Sequence, residues 1–381
     1  MAGNVTGNVS GNVIGNASDL ISVNMSERET ELKEQTIKDI ARLCNVSVST
    51  VSRVLNDHQD VSDDMRKRVM EVIRKNGYIP NNSARNLVRT SSDSIALVIR
   101  GISNPFFTRI IKGVEQEIYQ RGYSMILHQI GSDDDEIKTA AMIAKEKRLR
   151  GVLLLGGRFN YSPEETELLS IPFVCCTYTN TFGSLDPMSY SSVAINDKEE
   201  AYGAVKRLYE NGHRRIATLV ARTDDKSISE LRFSGYMQAL EECGLPLDMS
   251  LVVCTNSFNM PDAYEGMERL IQSGKEFTAV FAIADAMAIA AIKALADHGR
   301  NVPDDCSLIS IDGLEISNYT TPTLTTLEQP ADEIAKESAG LLIDLIEGSA
   351  DSRHIVLGTT LRQGGSLCRI RSDGHVLNTE S

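Results

Sequence analysis

Apolar side chains recur with helical spacing in residues 36–56, which read TIKDIARLCNVSVSTVSRVLN. The spacing i, i+3, i+4, i+7 predicts a first short helix, and the T-x-x-D that opens it matches a capping box. Asn45 tolerates a positive φ and allows a turn, after which Ser47 caps a second helix. The apolar face of the first helix consists of Ile37, Ile40, Ala41 and Cys44. The second helix buries Val51, Val54 and Leu55, which leaves small, hydroxyl and arginine side chains on another face.

A third helix and a short linker follow. Ser62 caps this helix and Gly77 ends it, and two aspartates in its first turn complement the helix dipole. Pro80 then breaks the chain, and residues 81–88 allow only about two helical turns. A helix of that length is not stable alone in water, so we expect it to fold only against a partner.

From Ser94 onward, short β-rich runs alternate with amphipathic helices, many of which end at glycine. This alternation is typical of parallel βαβ units, and about 275 residues of it predict two similar halves rather than one sheet. The predicted strands are Ile95–Ile99, Tyr123–His128, Val152–Leu155, Phe173–Cys176, Ile216–Val220, Leu251–Cys254, Val280–Ala284 and Leu308–Asp312.

The chain of 381 residues carries a net charge of −13, but the charge is unevenly distributed. Residues 35–92 hold ten basic and six acidic side chains, so this segment is basic and the rest is strongly acidic. A basic head on an acidic body restricts contact with phosphates to one end of the molecule. Seven cysteines without a C-x-x-C pair favour free thiols in a reducing cytoplasm. We see no apolar run of about 18 residues and no secretory leader, so we expect neither a membrane span nor export.

Residues 1–34 begin with the units G-N-V-T, G-N-V-S, G-N-V-I and G-N-A-S. Glycine and asparagine without periodic apolar positions do not form a core, so we predict a disordered tail over residues 1–34. Met25 heads a charged segment of ordinary composition directly before the first helix. A translation start at Met25 is therefore a second hypothesis beside a start at Met1.

A helix with an exposed stripe of small, hydroxyl and arginine side chains suits the major groove of DNA. The alternative is a helical hairpin that only packs against another part of the protein. The chain continues with P-N-x-x-A-R-x-L, then S-I-A-L-V-I and an N-P-F-F turn. Three helices followed by these motifs resemble the LacI/GalR family of bacterial transcription regulators. The similarity runs from about Thr36 to about Ser366, which is nearly the whole chain.

The resemblance implies an α plus α/β fold. A three-helix helix-turn-helix head with a hinge helix would precede a periplasmic-binding-protein-like body of two subdomains with parallel sheets. The implied boundaries are residues 35–79 for the head, 80–92 for the hinge helix and linker, 93–370 for the body and 371–381 for a tail. The subdomains would comprise residues 93–194 with 323–355 and residues 195–322 with 356–370.

The exposed face of the second helix predicts which side chains read DNA. Val48, Ser49 and Arg53 suit base edges, with the Arg53 guanidinium placed against a guanine. The resemblance adds Leu87, which matches a family leucine that wedges into the minor groove at the operator centre. The other predicted DNA-binding residues, suited to phosphates or to the hinge, are Thr36, Ser47, Thr50, Ser52, Asn56, Asn81 and Ala84.

Ligands of parallel α/β sheets lie beyond the carboxyl ends of the strands, where this chain has aromatic, arginine and carboxylate side chains. Such a mixture suits a polar ring, for example a sugar or a nucleobase. The resemblance matches Arg232 in RFSGY and Asp312 at a strand end to effector contacts of the family. Thr177 and Ala284 depart from it, because relatives often carry Asp and Asn there to bind sugar hydroxyls. The predicted effector-binding residues are Asn104, Phe106, Phe107, Thr177, Arg232, Phe258, Asp285 and Asp312, and Ser103, Gln129 and Asp133 follow the same strand ends.

The sequence therefore predicts a DNA-binding transcriptional regulator, with repression favoured, whose operator affinity is controlled by a small molecule bound between the subdomains. A sugar or sugar derivative is the favoured effector, while a purine or other non-sugar effector stays open, as does the choice between inducer and corepressor. A solute-binding receptor would lack the head, and we find no motif such as G-x-S-x-G or H-E-x-x-H where an enzyme mechanism needs it. No metal or cofactor is predicted.

The expected partners are double-stranded operator DNA and a second copy of the chain. We predict a homodimer rather than a tetramer, because the last residues, SLCRIRSDGHVLNTES, show no apolar heptad. The expected location is the bacterial cytoplasm, at the nucleoid.

Overall fold

The computed structural model describes residues 35–55, 58, 60–78, 93–102, 104–131, 134–223, 226–370 and 376–377. It divides into two compact units that part between Val88 and Arg89, which we describe separately. The predictions for the tail at 1–34, for Asn56 and for the hinge residues Asn81, Ala84 and Leu87 lie outside the described residues. The same holds for Ser103 and Asp133.

The first unit contains three helices, as the spacing of apolar residues predicts. These are α1 (Ile37–Cys44), α2 (Val48–Leu55) and α3 (Asp63–Lys75). Thr36 and Asp39 form the predicted capping box, and Asn45 ends α1 in the left-handed region with φ 51°. The shared core of the three helices consists of Ile40, Ala41, Cys44, Val51, Val54, Val69, Ile73 and Tyr78.

The second unit contains two six-stranded sheets. The first sheet is entirely parallel and has the strand order β11-β5-β4-β3-β1-β2. Its strands are β1 (Ser94–Arg100), β2 (Ser124–Ile130), β3 (Gly151–Leu155), β4 (Phe173–Cys176), β5 (Ser191–Ile195) and β11 (His354–Leu357). Its helices are α4 (Phe106–Gln120), α5 (Glu136–Lys147), the short α6 (Pro163–Thr166) and α11 (Ala331–Glu347).

The second sheet repeats this topology, with the order β12-β10-β9-β8-β6-β7, and only β12 runs antiparallel to its neighbour. Its strands are β6 (Ile216–Val220), β7 (Val252–Cys254), β8 (Ala279–Ala282), β9 (Ser307–Asp312), β10 (Thr325–Glu328) and β12 (Thr360–Arg362). Its helices are α7 (Asp197–Glu210), α8 (Ile228–Glu242), α9 (Met260–Gln272) and α10 (Asp285–Asp297). A hairpin of β13 (Arg369–Ile370) and β14 (Val376–Leu377) follows.

The chain passes between the two sheets three times, after β5, after β10 and after β11. The second crossover lies at Gln329 rather than near residue 322, because Thr325–Glu328 still pairs with β9 of the second sheet. All three crossovers leave from carboxyl ends of strands. These ends therefore meet at the junction of the subdomains, where ligands of doubly wound sheets bind.

Candidate functional site

The exposed face of α2 carries the side chains predicted to read DNA. Val48 is 40% exposed although it is apolar, while Val51 and Val54 on the opposite face are buried. Ser49 and Arg53 are also exposed, and Arg53 Nη1 lies 3.2 Å from Asp60 Oδ2 in an exposed ion pair. Exposed pairs of this kind contribute little stability, so the guanidinium exchanges partners at low cost.

Hydroxyl groups close the first turn of α2. Ser47 Oγ accepts a hydrogen bond from the Thr50 amide at 3.1 Å and lies 2.7 Å from Ser49 Oγ. It also lies 2.8 Å from Thr50 Oγ1. Ser47 and Thr50 therefore fix the start of the helix, whereas Val48 and Arg53 remain the side chains best placed for a partner.

In the body, the aromatic residues of the N-P-F-F turn are core residues. Phe106 and Phe107 are buried in a large apolar cluster that includes residues of both sheets, with their ring centroids 6.2 Å apart. Asn104 Oδ1 accepts the Phe106 amide at 3.1 Å and so helps to start α4. Phe258 is half-buried and packs against the same apolar cluster. The open aromatic faces expected at Phe106 and Phe107 are thus covered by protein, because α4 turns these rings onto its sheet.

Asp285 opens α10 and is completely buried. Its Oδ1 accepts hydrogen bonds from Ser310 Oγ and Thr326 Oγ1, both at 2.6 Å. Its Oδ2 accepts the Leu314 amide at 2.7 Å and Ser317 Oγ at 3.2 Å. Burial raises the pKa of this carboxyl group, although these donors counteract the shift. Since both oxygens are occupied by protein donors, Asp285 shapes the loop after β9.

Arg232 lies at the centre of a buried ion network and is only 1% exposed. Its Nε donates to Asp197 Oδ1 at 2.9 Å, and its Nη1 donates to the Ile283 carbonyl and lies 3.5 Å from Asp312 Oδ1. Nη2 also lies 2.9 Å from Asp197 Oδ1, yet it has no well-aligned hydrogen bond. Nη2 is therefore held in the ion pair with Asp197 without a well-aligned hydrogen bond of its own.

Asp312 is the carboxylate that joins this network to the second crossover. Its Oδ1 accepts Gln329 Nε2 at 2.9 Å, and its Oδ2 accepts the Asp285 amide at 3.3 Å. Burial raises the pKa of Asp312 to about 7; the positive charge of Arg232 opposes this rise and the nearby Asp285 adds to it. Burial also raises the pKa of Asp197, against the same arginine.

Two non-glycine residues at strand ends have positive φ. Thr177 directly follows β4 and has φ 75°, and Asp312 ends β9 with φ 141°. The two strands occupy equivalent positions in the two sheets. A β-branched residue in this region is strained, and such strain concentrates at functional sites. Sequence reasoning selected both positions without indicating their backbone conformation.

A second polar cluster, which the sequence did not predict, lies at strand ends of the first sheet. Buried Glu136 at the start of α5 accepts hydrogen bonds from Arg100 and Tyr161, and its Oε1 accepts the Arg158 amide at 2.7 Å. Burial raises the pKa of Tyr161 well above its ordinary value, and the Glu136 carboxylate adds to the rise. Gly157 is required here, because a Cβ atom would lie 2.2 Å from the Tyr178 hydroxyl. Arg100 ends β1 and Arg158 comes three residues after β3, so the strand-end rule could have selected them.

The loops after β3 and β6 touch each other across the subdomain junction. The Phe159 amide donates to the Lys226 carbonyl at 3.2 Å, and Lys226 Nζ lies 4.9 Å from the centroid of the Phe182 ring. The carboxyl ends of both sheets therefore meet at the junction of the subdomains. The structure brings Thr177, Arg232, Asp285 and Asp312 to this junction, together with Asp197 and Gln329, which the sequence did not select.

Two other findings bear on the type of site. Among the described residues we find no group of three or more His, Cys, Asp or Glu side chains that could hold a metal ion. No helix in the described part of the chain is long and apolar enough to cross a membrane.

His213 is buried between Thr278 Oγ1 at 3.0 Å and the Cys368 carbonyl at 3.3 Å. Burial lowers the pKa of His213 to about 4.

Comparison with known proteins gives a consistent result over nearly the whole chain. The profile for bacterial regulatory proteins of the lacI family matches residues 36–81, and that for a periplasmic binding protein-like domain matches residues 205–367. The HTH-type transcriptional regulator MalR of Clostridium butyricum is 38% identical, across 88% of this chain and 99% of its own. The HTH-type transcriptional repressor CytR of Escherichia coli K12 is 32% identical, across 86% and 93%. A solved complex of the transcriptional regulator CelR with cellobiose aligns with a TM-score of 0.64 at 29% identity, across 87% and 99%.

Proposed function

The chain belongs to the LacI family of bacterial regulatory proteins, and we propose that it represses transcription under the control of a small molecule bound in the cleft. The observation that carries this proposal is the combination of two parts. A head presents an exposed helix, and a body holds a buried polar network of Asp197, Arg232, Asp312 and Gln329 at the junction of its subdomains. Ligand and DNA then influence each other through the arrangement of the subdomains.

In the head, we assign base reading to Val48, Ser49 and Arg53. The exposed methyl groups of Val48 suit a thymine methyl group, and the guanidinium of Arg53 suits the two acceptors of guanine. Ser52 and the helix-capping hydroxyl groups suit phosphates, which set position rather than sequence. The hinge residues Asn81, Ala84 and Leu87 keep their predicted role at the operator centre.

The favoured effector is a sugar or sugar derivative. Arg232 and Asp312 offer a donor group and an acceptor group to a hydroxyl, and the strained Thr177 lies at the strand end equivalent to that of Asp312 in the other subdomain. The solved complex of the transcriptional regulator CelR with cellobiose fits this class. We assign Asn104, Phe106 and Phe107 to shaping the pocket wall, and we keep Phe258 as the candidate for stacking on a ring.

A nucleoside or purine is the second candidate effector, and one observation favours it. Both carboxylate oxygens of Asp285 accept hydrogen bonds from protein donors, and position 177 carries a threonine where the family resemblance implies an acid. The cleft thus has fewer free acceptors for a row of sugar hydroxyls. Relatives include repressors named CytR and PurR.

The proposed assembly is a homodimer in the bacterial cytoplasm, bound to the nucleoid. β2 is an edge strand, and its Leu127 is 43% exposed. Tyr319 in the other subdomain is 79% exposed. An edge strand with an exposed apolar residue favours pairing with a second chain.

The test begins with selection of bound sequences from a random DNA library by the purified chain. A thermal-shift screen then compares maltose, cellobiose, ribose, cytidine, adenosine and hypoxanthine. We expect enrichment of a two-fold symmetric site and a rise in the melting temperature with a compound of one class. Binding to DNA without any sequence preference would contradict the proposal.

A further inference from the structure

Asp312 joins two of the three crossovers that connect the subdomains. It lies at the carboxyl end of β9, is 3% exposed and belongs to the second sheet. The first crossover continues into Asp197 at the start of α7, and the second consists of Gln329 and Pro330 before α11. Gln329 of the second crossover is hydrogen-bonded to Asp312 directly, and Asp197 of the first crossover is linked to Asp312 through Arg232.

The first tether runs through Arg232. The guanidinium contacts Asp197 Oδ1 at 2.9 Å on one side and Asp312 Oδ1 at 3.5 Å on the other. All three side chains are 2% or 3% exposed. Loss of one member would leave a buried charge without its partner, which is strongly unfavourable.

The second tether is Gln329, which is bonded to Asp312 twice. Its side-chain Nε2 donates to Asp312 Oδ1 at 2.9 Å, and its backbone amide donates to the Asp312 carbonyl at 3.1 Å. Gln329 is itself buried. Asp312 Oδ1 is therefore shared between Gln329 of the second crossover and Arg232, which holds the first.

We infer that Asp197 and Gln329 are positioning residues that make the first two crossovers open and close as one unit around Asp312. The inference rests on the proposed control by a ligand in the cleft. A ligand that engages Arg232 or Asp312 would then change both crossovers at once. The two crossovers then share one free energy of local opening, and each contact within the unit increases it.

Hydrogen exchange of backbone amides tests this inference without an effector or an operator. The variants are Gln329→Leu, which keeps the volume but removes the donor, and Asp197→Asn, which removes the charge. The control is Gln238→Leu, because Gln238 bonds at 2.9 Å only to Glu242 on its own helix among the contacts described. The amides followed are those of residues 196–200, 329 and 331–333.

We expect each variant to accelerate exchange at both crossovers by about tenfold, the factor that corresponds to loss of one buried hydrogen bond. The control should match the wild-type protein. Acceleration confined to the mutated crossover would overturn the inference, because it would show independent tethers. Unchanged exchange rates in the variants would also overturn the inference. Acceleration that extends to α9, which lies outside the junction, would overturn it as well, because the effect would then be general. None of these outcomes bears on whether the head binds DNA.

Discussion

Asp312 is a carboxyl group whose folded environment disfavours its charge. Burial outweighs the attraction of Arg232, so its pKa rises from 3.8 to about 7. Between these values the folded chain holds a proton that the unfolded chain has released. Folding therefore loses stability as the pH rises through this window, by up to about 1.4 kcal/mol per pH unit.

Replacement of Asp312 by asparagine removes this titration. We expect the difference in unfolding free energy, wild type minus Asp312→Asn, to fall between pH 4 and 7 and then to level off. His213, with a pKa lowered to about 4, contributes the opposite slope, but it is present in both proteins and cancels in the difference. Urea titrations at several pH values measure this difference. A difference that is flat or rises with pH would show that Asp312 is charged in the folded state.

Thr177 stores backbone strain, since its φ of 75° is costly for a β-branched residue. Thr177→Gly should raise the unfolding free energy by about 1 kcal/mol, after allowance for the greater freedom of glycine in the unfolded chain. Thr223→Gly, at a residue without positive φ, should not stabilise the protein. Thermal unfolding compares the three proteins, and a destabilised Thr177→Gly variant would show that side-chain contacts outweigh the strain.

At the scale of residues, the sequence indicated which polar residues lie near strand ends, but it did not indicate their hydrogen-bond and ion-pair partners. Arg232 and Asp312 were selected because they follow strands or match a motif. Asp197, Gln329 and Glu136 were not, because their roles depend on which strand ends meet in space. The burial of Phe106 and Phe107 likewise depends on how α4 docks onto its sheet.

At the scale of elements, α2 has one face that packs in the core of the head and another face that is exposed. Val51 and Val54 hold it in the core of the head, and Val48 and Arg53 stay exposed. Hydroxyl caps at its first turn fix its direction. A helix so held presents its side chains to a groove in one orientation.

Arg53→Ala should therefore weaken binding to the selected operator by about tenfold to a hundredfold, because a bidentate contact with guanine is worth about 1–3 kcal/mol. Binding to random DNA should change much less, since it depends on phosphate contacts. Lys75→Ala, a basic residue on α3, should leave the ratio of specific to random binding unchanged. Fluorescence anisotropy on both DNAs provides the comparison. Equal losses on both DNAs for Arg53→Ala would make this residue a phosphate contact.

The sequence predicted the helices of the head and eight strands of the body, because their apolar patterns are regular. It did not predict β5, β10, β11 or β12. SSVAI and TTLE are short and partly polar, and they become strands because neighbours pair with them. The prediction placed the second crossover near residue 322 for the same reason, because it did not include β10 in the second sheet.

At the scale of the whole molecule, the exposed apolar edge is where we propose that a second chain pairs. Leu127→Lys, on edge strand β2, should convert the proposed homodimer into a monomer at micromolar concentration, because a charge on an edge strand opposes pairing. Leu168→Lys is the matched control, since Leu168 is exposed but lies outside the strands. Sedimentation velocity distinguishes the species. A Leu127→Lys variant that stays dimeric, or a wild-type tetramer, would contradict this assembly.

The central claim is that a ligand in the body controls the affinity of the head for DNA. The most direct measurement is the Kd for the selected operator, with and without the compound that most raises the melting temperature of the chain. We predict a change of at least about tenfold, which corresponds to a coupling free energy of about 1.4 kcal/mol. A compound that binds with high affinity and leaves the operator Kd unchanged would contradict the account.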